Sequence, residues 1–182
     1  MANFNVAYAL TSKVEGGYAN NPADNGGETF KGISRKFNPN WEGWKLVDQI
    51  KEEHSLNLNA ELEQSDQLSN LILNFYKENY WDVNDTGAIV NQQIANQVFD
   101  TSVNCGTGKA AEFLQCAAKV TVDREIGPVT ISAVNSLNPE TLYNEFINLR
   151  KDYYKKIVAA NPTQAQFEKS WFSRLWPYSS IA

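Results

Sequence analysis

Apolar residues recur along most of this chain at the three-to-four spacing of a helix facing a core. Phe4, Ala7, Tyr8, Leu10, Thr11 and Val14 form the first such stripe, and Gly16-Gly17 ends it, which predicts a helix over 4–15 with Glu15 in its last turn. The pattern then lapses. Residues 18–32 are rich in Gly, Asn, Pro and Asp, a composition that favours turns and left-handed backbone and predicts a loop or a small hairpin. A short helix is predicted over 30–37, broken by Pro39, and Trp41 with Trp44 opens a segment that runs to about residue 53. Leu62, Leu68, Leu71, Ile72, Phe75 and Tyr76 share one side of a single helix predicted over 59–80. Further helices are predicted over 91–103, 108–120, 128–137, 139–160 and 164–175, with Pro128 and Pro139 near helix starts, where proline is tolerated.

The fold expected is mainly α, with the Gly/Asn-rich loop or small hairpin after the first helix. The turn at 104–108 is the expected seam between a catalytic lobe, 1–103, and a helical C-terminal lobe, 104–182, packed as one compact unit. No repeat, low-complexity tract or linker interrupts the chain.

Composition narrows the function. Of 182 residues, 42% are hydrophobic and 20% charged, the balance of a globular protein. Sixteen basic against 21 acidic residues give a net charge of -5, and no run of Lys or Arg interleaved with aromatics appears, which argues against a nucleic-acid partner. The same acidity works against loose adsorption to any anionic surface, where recognition would need a shaped cleft. Cys105 and Cys116 match neither a disulfide framework nor a zinc or redox motif, and the lone His54 cannot complete a metal site with them; both are expected as reduced, packed residues, with no metal and no cofactor. The N-terminus lacks a basic start and a long apolar stretch, and no segment nears the ~20 apolar residues of a membrane helix. The expectation is a monomer made in the cytoplasm without membrane insertion, reaching an outside substrate through a holin-like pore, lysis or a specialised secretion route.

The chemistry centres on Glu15. Glycoside hydrolysis needs a carboxylic acid protonated at the moment of donation, and usually a second group that activates water or stabilises positive charge at the sugar carbon. A carboxylate at a helix C-terminus faces the negative end of the dipole, and burial beside Tyr18 or Trp81 would favour the protonated form further. The blander alternative is a solvated charge near a helix end.

Glu15-Gly16-Gly17-Tyr18, then Asn20-Asn21-Pro22-Ala23-Asp24-Asn25-Gly26-Gly27-Glu28-Thr29 and Lys31-Gly32-Ile33-Ser34, resemble the signature of the bacterial and phage N-acetylmuramidases of glycoside hydrolase family 108. Tyr80-Trp81-Asp82 is similar to that family's Tyr-Trp pair. Phe99-Asp100, Val103-Asn104, Gly106, Gly108-Lys109-Ala110-Ala111, Leu114-Gln115, Asp123, Ile126-Gly127-Pro128 and Thr130 resemble its C-terminal peptidoglycan-binding region. Trp171 with Arg174 looks like its closing element, with Ser170 where glycine is usual.

The resemblance implies an α+β lysozyme-like fold of helical lobes around a cleft, with Glu15 as the acid, the loop after it as the floor of the cleft, and the peptidoglycan glycan strand as substrate. The spacing of Asp24 and Thr29 from Glu15 is similar to the acid, Asp and Thr series of phage lysozymes, which implies that they position the attacking water; for Asp24 the alternative is an Asx turn. Glu28 is a weaker contender for the second catalytic group and reads rather as a loop surface charge. Tyr18, Tyr80 and Trp81 are the expected substrate contacts, although Tyr80, Trp81, Trp41 and Trp44 are core aromatics by default, and only exposed members could stack on sugars. Asn74 and Gln97 are further candidates for bonds to N-acetyl groups. The reaction expected is hydrolysis between N-acetylmuramic acid and N-acetylglucosamine. A lytic transglycosylase on the same bond, a noncatalytic wall-binding or secretion-accessory protein, and a DNA-binding helix-turn-helix over 121–137 are the competing readings.

Overall fold

The computed structural model describes residues 1–12, 16–20, 27–53 and 57–179. The chain divides into two compact units, Met1–Tyr8 with Glu78–Ala182, and Ala9–Lys77. The expected seam at 103/104 lies within the first of these units.

Helix α1, Phe4–Thr11, begins where the first apolar stripe begins. Residues 13–15, and with them Glu15, lie outside the described residues, as do 21–26, which include Asp24, and 54–56, which include His54. The turn-rich stretch forms a small antiparallel sheet of β1, Tyr18–Asn20, β2, Glu28–Phe30, and β3, Ile33–Ser34, in the order β1-β2-β3. Tyr18 is paired with Phe30 and Ala19 with Thr29, while Phe30 is also paired with Ile33 and Thr29 with Ser34.

The short helix predicted over 30–37 is therefore wrong. Lys31 and Gly32 both take positive φ, 47° and 77°, which is the two-residue hairpin turn whose twist matches the strands it joins. Gly32 adopts this backbone without steric cost, and a lysine follows it there because strand pairing on both sides leaves no other path.

The rest of this unit is a three-helix layer: α2, Gly43–Glu53; α3, Leu58–Gln64; and α4, Asp66–Tyr76. The single helix predicted over 59–80 is broken at Ser65, whose ψ of 105° leaves helical space and whose side chain accepts a hydrogen bond from the Leu68 N–H as the N-cap of α4. The apolar stripe continues across the break because Leu62, Leu68 and Ile72 are all buried, so periodicity alone could not reveal it. After α4 the chain makes one π-helical turn, Lys77–Trp81.

The other unit is helical: α5, Gln92–Cys105; α6, Thr107–Ala118; α7, Pro128–Ser136; α8, Pro139–Ala160; and α9, Ala165–Phe172. Local chemistry sets its helix starts. Asn91 and Asn138 cap α5 and α8 through their side-chain oxygens, and Pro128 and Pro139 occupy first-turn positions. Helix α6 packs on both α5 and α8, and Val98, Phe99, Leu114, Leu142 and Phe146 are almost completely buried. Between α6 and α7, Gln115 pins the connecting loop: its amide donates to Asp123 Oδ1 at 2.6 Å and to the Glu125 carbonyl at 3.0 Å, and its oxygen accepts from the Arg124 N–H. The turn and helix over 121–137 are thus fastened to this core. No helix among the described residues is long and apolar enough to cross a membrane.

Candidate active site and its supporting networks

Side chains alternate across a strand, and directly paired residues share a face. Tyr18, Glu28, Phe30 and Ile33 accordingly lie on one face of the sheet, and Ala19, Thr29 and Ser34 on the other. Phe30 and Ile33 are each 1% exposed, so the first face is seated on the unit's core. Thr29 is half-buried. Its position is set from both sides by the ladders to β1 and β3.

On the core-facing side, Glu28 is the centre of a charge cluster. Its Oε1 accepts from Lys51 Nζ at 2.6 Å and from the Tyr18 hydroxyl at 2.7 Å, and its Oε2 pairs with Arg35 NH1 at 3.0 Å. Arg35 also donates through NH2 to Asp48 at 2.8 Å and to the Trp44 carbonyl at 3.2 Å, with its guanidinium 4.6 Å from the Trp44 ring centroid. The Glu28 side chain retains only 12% exposure, so it is a tethered, largely buried anion and not the loop surface charge its sequence context predicted.

Burial alone would raise the Glu28 pKa, but the bonds from Lys51 and Tyr18 and the charges of Arg35 and Lys51 outweigh it and hold the carboxyl below its ordinary value. Glu28 therefore stays ionised and cannot serve as a proton donor. Tyr18 is shifted the other way, upward, chiefly by burial and with support from the Glu28 carboxylate, against the bond to Lys51. It remains a neutral hydroxyl. The Tyr18 N–H donates to Asn59 Oδ1 at 2.9 Å, which fastens the chain immediately after Gly16-Gly17 to α3.

Of the other expected contacts, Tyr80 is half-buried in the π-helical turn, a geometry that recurs at functional sites. Trp81 is 4% exposed and meets Phe4 and Phe99 edge to face at 5.7 and 5.9 Å. The ring expected to stack on a sugar is a core aromatic. Asn74 is exposed on α4, whereas Gln97 is buried and engaged, accepting from Arg150 NH1 at 2.7 Å and donating to the Arg174 carbonyl at 3.0 Å. That removes Gln97 from the candidates for binding N-acetyl groups.

The elements Phe99-Asp100 and Trp171 with Arg174 meet in a second cluster. Asp100, wholly buried, receives Arg150 NH2 on one oxygen at 2.6 Å and Arg174 NH1 on the other at 2.7 Å. Arg150 Nε donates to the Tyr154 hydroxyl at 2.8 Å, which in turn donates to Asn104 Oδ1 at 2.6 Å, and Trp171 stacks on the Tyr154 ring at 5.3 Å. The closing motif is thus a clasp that ties α9 to α5 and α8. Cys105 and Cys116 are free thiols; burial pushes the Cys105 thiol up, whereas Cys116 is exposed on α6 and is not the packed residue expected. Among the described residues no group of His, Cys, Asp and Glu could hold a metal ion.

Residue types alone did not reveal Lys51, Arg35 and Asn59 as partners of the Glu28 strand. Lys51 and Asn59 are distant from it in sequence, and the hint the sequence offers is the loop or small hairpin expected over 18–32, in which Glu28 and Phe30 share a face.

Two family models match consecutive stretches of the chain: Glycosyl hydrolase 108 over residues 8–106, and Predicted Peptidoglycan domain over residues 109–176. Among solved structures, one of SagA from Brucella abortus is similar at 25% identity, covering 94% of this chain and 88% of that one with a TM-score of 0.65. No curated protein matches. The matched stretches meet beside Gly106, between α5 and α6, so the division by family does not coincide with the division into compact units.

Proposed function

Because the chain belongs to the glycosyl hydrolase 108 family and is a peptidoglycan muramidase, we propose that Glu15 is its catalytic acid. In this reading Glu15 protonates the oxygen bridging N-acetylmuramic acid and N-acetylglucosamine, and Asp24 and Thr29 order the water that attacks the sugar carbon. The observation that carries it is the sheet. Tyr18, three residues after Glu15, is paired with Phe30, and Thr29 stands next in β2, so the two ends of the segment containing Asp24 are held side by side. The carboxylate of this sheet, Glu28, is held ionised by three partners and is unsuited to donate a proton, which supports a different residue, Glu15 in this reading, as the acid.

Tyr18 and Tyr80 are the sugar contacts of this reading, and Trp81 supports the turn that carries Tyr80. Residues 1–103 act as the catalytic lobe and 104–182 as the wall-binding lobe. The enzyme works as a monomer, made in the cytoplasm and released to the wall in the manner of an endolysin or through a secretion route.

Clearing of purified peptidoglycan by the wild-type protein and by Glu15→Gln, both checked for folding by circular dichroism, tests the assignment. A loss of at least ~100-fold is expected for removal of a general acid. Equal activity would remove Glu15 from the site. Mass spectrometry of the released fragments should find reducing ends; 1,6-anhydro ends would replace hydrolysis by transglycosylation.

A further inference from the structure

One groove in the Ala9–Lys77 unit has a lining suited to a sugar. It encloses about 570 Å³ and is walled by Arg35, Asn40, Trp41, Trp44, Lys45 and Asp48, with Glu42 at its edge. That volume falls within the range of small-ligand sites.

Trp41 is its fixed element. A side chain at position 43 would come within 2.3 to 2.6 Å of three atoms of the Trp41 six-membered ring, so the ring lies flat on the Gly43 backbone and only glycine permits it. The edges of Trp44, at 5.2 Å and 88°, and Phe75, at 6.2 Å and 64°, complete its seat. Despite this packing Trp41 keeps part of its surface exposed, in contrast to Trp44, which is 4% exposed. An indole held rigidly yet left partly open is a platform for the C–H face of a pyranose ring.

The polar lining narrows the ligand. Arg35 and Lys45 are balanced by Asp48 and Glu42, and the two terminal nitrogens of Arg35 are already taken up by Glu28, Asp48 and the Trp44 carbonyl, while its Nε is buried. An anionic ligand finds no free excess of positive charge here, whereas hydroxyl and acetamido groups find both donors and acceptors. Arg35 also ties the groove to the strand that carries Thr29, since its backbone N–H donates to the Glu28 carbonyl at 2.8 Å.

We propose that the Trp41 groove is an accessory saccharide site that takes an uncharged N-acetylated amino sugar of the glycan strand. The assignment rests on the muramidase reading for its ligand but not for its geometry.

The test is a titration of Glu15→Gln protein, with its tryptophan indoles labelled with nitrogen-15, by tri-N-acetylchitotriose, a neutral probe. The Trp41 and Trp44 indole signals should move while that of the buried Trp81 stays still. Trp41→Ala should weaken binding about tenfold or more, and binding should change little with added salt because the probe is uncharged. Unmoved Trp41 and Trp44 signals overturn the proposal, and so does a folded Trp41→Ala that binds equally well. If Trp41→Ala fails to fold, the titration of the protein with Trp41 intact and of Asn40→Ala, a change on the exposed lip, decides between the same outcomes. Wall clearing by wild type, measured in parallel, separates the two readings: clearing with a silent titration removes only the groove, and shifts without clearing remove only the muramidase.

Discussion

Each compact unit holds a largely buried carboxylate flanked by two cations, Asp100 in one and Glu28 in the other, and these two clusters differ chiefly in their access to water. Asp100 and Arg150 are completely buried and Arg174 nearly so, and the remaining nitrogens of Arg150 are taken up by Gln97 and Tyr154. Glu28 sits at 12% exposure between Arg35 and Lys51, each about one-third exposed. Removing one member of a buried, desolvated set strands the others without solvent, whereas water can replace a lost partner in the half-open set. The first cluster is therefore a stability device that holds α5, α8 and α9 together. The second spends little stability and fixes the strand beside Thr29. The same residue types serve two purposes, according to depth.

This contrast can be broken in a graded way. Asp100→Asn should have the largest effect on stability, about 3–5 kcal/mol, because two guanidinium groups lose their buried counter-charge. A chain of this size should then melt roughly 10 °C lower or more by calorimetry. An unchanged melting temperature would show that water reaches Asp100. Glu28→Gln should cost only about 1 kcal/mol in denaturant titration, while lowering the rate of wall clearing more than that loss of folded protein explains. If activity follows the folded fraction alone, Glu28 is merely structural.

Gly32→Ala puts a β-carbon at a φ of 77° in the β2-β3 turn and should cost about 1 kcal/mol without touching either cluster. It separates the turn's hold on β2 from that of the charges. The smallest effect is in the pH dependence. With its pKa held below the ordinary 4.5, Glu28 contributes stability that is fully present above the unfolded value and is lost as pH falls through the folded one. The gap in melting temperature between wild type and Glu28→Gln should therefore be constant near neutrality and close only in acid, below the ordinary glutamate range. A gap that widens in acid would reverse the sign assigned here.

Which parts of the molecule could be read in advance follows from the range of the forces involved. Helix starts at Asn91, Pro128 and Pro139 were legible because a cap or a proline acts within one turn of itself. The family resemblance was legible because an ordered series of short motifs survives in the linear chain, and both family models bear it out. The hairpin at 30–33 was misread as a helix because Lys31 takes left-handed backbone only under the pairing of its neighbours. The break at Ser65 was hidden because apolar residues on either side of it face one core.

The sequence by itself determined the helical class, the capped helix starts and the motif that names the enzyme's family, all of which rest on contacts within a few residues. Only the tertiary structure decided that Glu28 is an ionised anchor, that Trp81 and Gln97 are buried, and that Asp100 draws Arg150 and Arg174 together from 50 and 74 residues away. The reason is that burial and charge pairing depend on which distant segments pack together, and a side chain's ionisation and its access to substrate are set by those neighbours rather than by its own type.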